Sequence, residues 1–85
     1  MTVPPDLQAL LDAERGYRNG VAVTAIRRAI GDRLHAERRR RKVSLDAVAA
    51  ATGLAAGTIS HVEHGRRIGA ATTTRLLTYY YGTDA

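Results

Sequence analysis

The sequence predicts an all-α fold, a compact bundle of about five helices, and three observations predict it. Apolar residues recur at the i, i+3, i+4 spacing of helix faces in successive stretches. Those stretches are bounded by residues suited to helix ends, among them Pro5, Ser44, Gly53 and Gly65. Finally, 85 residues make one small domain. A chain of this size buries only ~60–65% of its unfolded surface, so the core must be thin. With no Phe, Trp or Cys, that core falls to Ala, Val, Ile, Leu and Tyr, and no disulfide or thiolate metal site is available.

The first helix is predicted over roughly Pro5 to Arg18. Proline is well placed at a helix start, where its missing N–H costs nothing. Leu7, Leu10 and Leu11 then form one narrow stripe, and Asn19-Gly20 ends the segment. Val21 to Val23 is a short connector or the first turn of the next helix. Thr24 can cap a second helix to about Arg41, with Ile26, Ile30 and Leu34 recurring every four residues. Gly31 inside that helix costs ~1 kcal/mol relative to Ala.

Continuing the stripe by one turn reaches Arg38. Consecutive side chains diverge by ~100° around a helix, so the run Arg38 to Arg41 cannot share a face. Arg38 points to the core, while Arg39 and Arg40 point away. A buried arginine needs a carboxylate partner, and Glu63 is the best candidate that follows. His35 is expected on an exposed surface.

Ser44 is a good N-cap for a third helix, Leu45 to about Thr52. Its inner face is Leu45, Val48 and Ala49. Gly53 suits the left-handed residue that closes a helix. A fourth helix runs through Ile59 and Val62 to about His64 and ends at Gly65. A polar link from Arg66 to Gly69 leads to a last helix, about Ala71 to Tyr81. Thr74, Leu77 and Tyr81 are expected inside, with Leu76 or Tyr80 flanking. Of Tyr79, Tyr80 and Tyr81, one is expected in the core and two at the surface or an interface.

Charge is distributed unevenly within a net of +5. Met1 to Gly20 is slightly acidic, with Asp6, Asp12 and Glu14 against Arg15 and Arg18. From Arg27 to Lys42 eight basic residues face only Asp32 and Glu37. Such a segment suits a polyanion partner, or a helix end that favours cations through its dipole. No apolar run approaches the ~18 residues of a membrane span. The N-terminus carries no basic-then-apolar signal pattern.

The informative constellation lies between Leu45 and His64. Ala49 is small where two helices approach, and Gly53 takes a turn conformation that a Cβ disfavours. Ile59 and Val62 pin the second helix to the first, with Val48 and Leu54 completing the contact. This spacing makes two helices cross steeply, so that one can be presented to a major groove.

These residues resemble the helix-turn-helix family of phage repressors and Cro proteins (XRE-like). The likeness covers Ile30 to Gly82 without a gap. It rests on Ile30, Leu34, Arg38, Ser44, Ala49, Gly53, Leu54, Thr58, Ile59, Ser60, Val62, Glu63, Gly65 and Gly82. In that family an arginine late in the module's first helix pairs with a glutamate late in the recognition helix, and Arg38 and Glu63 fall at those positions.

The resemblance implies base contacts from Ala56, Gly57, Thr58, Ser60 and His61 of the fourth helix. It implies phosphate contacts from Arg41, Lys42, Ser44, His64, Arg66 and Arg67. Three departures qualify it. Leu45 stands where many members have a phosphate-binding glutamine. The recognition helix opens Ala55-Ala56-Gly57, without side-chain donors. The N-terminal helix is extra, and the family's helix after Gly82 is absent.

The chain is thus expected to comprise an N-terminal helical extension, residues 1–23, and a helix-turn-helix DNA-binding domain, residues 24–85. The extension would pack on the module, form a dimer contact or meet a protein partner. The expected function is a non-enzymatic, sequence-specific transcriptional repressor or Cro-like regulator. It would bind double-stranded DNA as a homodimer, in the cytoplasm or at the nucleoid, without cofactor, metal, membrane or small-molecule ligand. His61 and His64, at i and i+3, lack a third ligand at sensible spacing. Two readings stand beside this one: an antitoxin that also binds a protein through the extension, and a non-specific nucleic-acid binder using only its basic helix.

Overall fold

In a computed structural model the chain is described over residues 3–16, 20–66 and 69–82, with the side chains at 20 and 21 set aside. Every regular element among these residues is a helix: α1 (Pro5–Gly16), α2 (Gly20–Arg40), α3 (Leu45–Thr52), α4 (Ala56–Glu63) and α5 (Ala70–Tyr81). The all-α reading holds, and two boundaries move. Helix α1 is described to Gly16, and the end expected near Arg18 lies outside the described residues. Residues 21–23 belong to the first turn of α2, so Thr24 lies inside that helix and does not cap it. The boundary expected between residues 23 and 24 therefore falls within one continuous helix. Val23 is buried there, which anchors the early start of α2 by packing.

One apolar cluster joins all five helices. Val3, Leu7 and Leu11 meet Ile30 and Leu34 of α2, Val48 of α3, Ile59 and Val62 of α4, and Leu76, Leu77, Tyr80 and Tyr81 of α5. The leucine stripe of α1 is thus turned inward, and α1 packs on α2. Two ion pairs hold that packing: Arg33 Nε donates to Asp6 at 2.8 Å and Arg27 Nε to Glu14 at 3.1 Å. On α5 the inner face is Leu76, Leu77, Tyr80 and Tyr81, with Thr74 only half-buried. Two tyrosines enter the core, one more than expected. In a chain without Phe or Trp they are the largest apolar bodies available.

The α3–α4 unit forms as its capping residues require. Ser44 Oγ accepts the Ala47 N–H at 3.0 Å, satisfying an otherwise unpaired donor of the first turn. Gly53 closes α3 in the left-handed region at φ 76°, and its N–H donates to the Ala49 carbonyl at 2.9 Å. Across this turn α3 and α4 are bent by 112°, within the range of helix pairs joined by a tight glycine turn.

Gly31 explains how closely α4 lies on α2. A Cβ at that position would stand 2.4 Å from the Val62 carbonyl oxygen and 2.8 Å from that of Glu63. The apparent helix defect is the condition for this backbone contact.

Candidate nucleic-acid interface

Helix α4 has one committed face. Ile59, Val62 and Glu63 are buried, and at ~100° per residue this fixes the rest. Gly57, His61 and His64 are exposed, while Ala56, Thr58 and Ser60 are half-buried. Ala55 precedes the helix without offering a side-chain cap, so the first-turn N–H groups lie beside small side chains. His64 Nδ1 donates to the Ser60 carbonyl at 2.7 Å. That bond requires a proton on Nδ1, so the neutral ring presents Nε2 as an acceptor and donates to an anion there only as imidazolium.

The face is set by a buried ionic cluster at the end of α4. Glu63 has a side chain only 4% exposed and receives Arg38 in bidentate fashion. Arg38 Nε lies 2.8 Å from one carboxylate oxygen and Nη2 3.1 Å from the other. Arg38 Nη1 also donates to the Val43 carbonyl at 3.1 Å, which ties α2, α4 and the approach to α3 together. His35 joins the cluster, its Nδ1 2.7 Å from Glu63. Sequence reasoning placed His35 at an exposed surface; its side chain is 42% exposed and engaged. Burial pushes the Glu63 carboxyl up, but the bonds from Arg38 and His35 outweigh it and hold the group below its ordinary value.

A second buried carboxylate, Glu37, was not anticipated. It accepts Arg41 Nε at 2.6 Å, is also bonded by Arg40, and receives the Tyr81 hydroxyl at 3.4 Å. Burial again raises the carboxyl, and the bonds from Arg40 and Arg41 bring it below its ordinary value. Arg41 also donates to the Tyr80 carbonyl and lies over that ring, 5.3 Å from its centroid. Its guanidinium therefore ties α2 to α5. The signal was present in sequence: Glu37 and Arg41 are an i, i+4 pair in the favoured order.

The arginine run is thus largely neutralised within the chain, with Arg38 on Glu63 and Arg40 and Arg41 on Glu37. Among the described residues Arg28, Arg39, Lys42, Arg66 and Arg75 have no ion pair. Lys42 is exposed and holds a left-handed backbone at φ 57°, and Ser44 and Arg66 are exposed too. Arg67 lies outside the described residues.

Among the described residues no single helix is long and apolar enough to cross a membrane, and no three potential metal ligands gather. The sequence model of a family described as a helix-turn-helix domain matches residues 29–85, the stretch from α2 through α5. No curated protein and no solved structure gives a significant match.

Proposed function

This chain belongs to the helix-turn-helix domain family, whose domain binds DNA, and from that premise we propose that it is a sequence-specific transcriptional regulator. It acts as a repressor: a homodimer on a palindromic operator occludes the polymerase. The observation that carries this reading is the single committed face of α4. Ile59, Val62 and Glu63 hold the helix at 112° to α3, leaving Gly57, His61 and His64 outward.

Backbone contacts fix register, and base-edge contacts give sequence. Lys42, Ser44, His64, Arg66 and Arg67 form the phosphate-contacting set, and Arg41 serves inside the chain. Within α4, His61 combines reach with a donor and an acceptor. Ala56 and Gly57 let the helix approach closely, with the Ala56 methyl suited to a thymine methyl. Thr58 and Ser60 contribute shorter contacts. One such helix reads too few base pairs to stand out among ~10⁶ competing sites, whereas two related by a twofold axis read an inverted repeat.

Selection of bound duplexes from a random pool tests the reading. An inverted repeat should be enriched, with half-site centres about one helical turn apart. Equal recovery of unrelated sequences would make the chain a non-specific binder and contradict it.

A further inference from the structure

Resting on the DNA-binding reading above, we infer that Arg28 is a backbone-phosphate anchor, acting beside Arg66 where the chain leaves α4. The helix-turn-helix spacing does not mark this residue, which lies at the start of the basic segment, ten positions before Arg38 in the chain. The juxtaposition comes from Gly65. That residue stands at φ +75°, and a Cβ on it would lie 2.6 Å from Arg28 Cα and 2.9 Å from its N. The backbone of α2 at Arg28 is therefore in direct contact with the turn that follows His64. This contact places the root of one arginine against the turn that carries another, Arg66.

The charges around it point the same way. Of the other α2 arginines, Arg27 is committed to Glu14, Arg33 to Asp6, Arg38 to Glu63 and Arg40 to Glu37, and Arg39 is unpaired like Arg28. At ~100° per residue, Arg28 leaves the helix on a different side from Arg27. Arg28 is exposed and, among the described residues, paired with no carboxylate. Asp32, one turn further along α2, forms no ion pair with it. Arg66 is likewise exposed and unpaired. Two unpaired arginines whose backbones meet at one edge through Gly65 suit the oxygens of a phosphodiester, which arginine binds in bidentate fashion. The edge adjoins His64 and so lies at the C-terminal end of the outward face of α4. Arg28 thus extends the interface beyond the α3–α4 unit and onto α2.

A competing role is purely local, since a cation near the carboxyl end of α4 would favour that helix through its dipole. The two roles separate by measuring affinity against salt for the full chain, on the duplex selected from the pool and on an unrelated duplex. Arg28→Gln should fold with the wild-type melting temperature and bind both duplexes more weakly. Its log-affinity against log-salt slope should fall by about 0.9. Between about 50 and about 200 mM salt it should therefore lose about threefold less affinity than the wild type. Arg28→Lys should keep the slope. Arg75→Gln, which removes an unpaired cation on α5, should leave it unchanged. Wild-type binding with an unaltered slope in Arg28→Gln would overturn the assignment alone, as would a lower melting temperature with no change of slope. A wild-type chain that binds neither duplex would overturn both the assignment and the reading on which it rests.

Discussion

Glu63→Ala removes the acceptor shared by Arg38 and His35 and leaves the largely buried Arg38 guanidinium with its bond to the Val43 carbonyl but without a carboxylate. Breaking one side of a buried ion pair costs about 3–5 kcal/mol, against ~5–15 kcal/mol of total stability. Circular dichroism should find this variant unfolded or nearly so, while Arg39→Ala melts with the wild type. Acid should act through the same groups. Glu37 and Glu63 are both held below the ordinary value of 4.5 when folded. Such carboxyls stabilise the fold fully above that value and lose the contribution as pH falls through the lowered folded values. Melting temperature should therefore fall once pH drops below 4.5, and Glu63→Gln should flatten that fall. The Arg38–Glu63 pairing was legible because Ile26, Ile30, Leu34 and Arg38 step by four along one stripe. Glu37 escaped because a helix of 3.6 residues per turn also carries the position three after Leu34 inward.

At the scale of elements, two glycines in helices should respond oppositely to the same change. Alanine is the better helix former by ~1 kcal/mol. Gly57 has nothing within 4 Å of an added Cβ, so Gly57→Ala should raise the melting temperature. Gly31→Ala would drive a methyl against the α4 backbone at 2.4 Å. Overpacking of this kind costs about 1–3 kcal/mol, more than the propensity returns. Its melting temperature should therefore fall; a rise would show that α2 and α4 can part freely. Sequence alone reads Gly31 as a helix defect, because the penalty is local and the reason for it lies 31 residues away, at Val62. The α3–α4 turn was legible for the opposite reason. Ser44 and Gly53 act through bonds to Ala47 and Ala49, three and four residues distant. The start of α2 was legible only as one of two readings of residues 21–23, since Gly20 reads as a helix end and the burial of Val23 is a tertiary effect.

Across the whole molecule, the apolar stripe of α1 could be seen in the sequence but its partner could not. Spacing gives a face and does not say what covers it. Leu7 and Leu11 are covered by the common core, and Asp6 and Glu14 are paired with α2, so the inner face of α1 packs within the chain. The same limit applied to charge. The basic segment was visible, but only the fold separates arginines that bind Glu37 and Glu63 from cations left for another molecule. What remains outward is a short helix face with few functional groups, on which the proposed sequence reading converges at His61. The direct test compares wild type and His61→Ala on the selected operator, with affinities measured for every single-base variant. His61→Ala should keep the wild-type melting temperature and its affinity for unrelated DNA. It should lose about 1–3 kcal/mol of discrimination at one base pair in each half-site, the worth of a good base contact. Identical base-by-base profiles for the two proteins would contradict a reading of sequence by the outward face of α4 through His61.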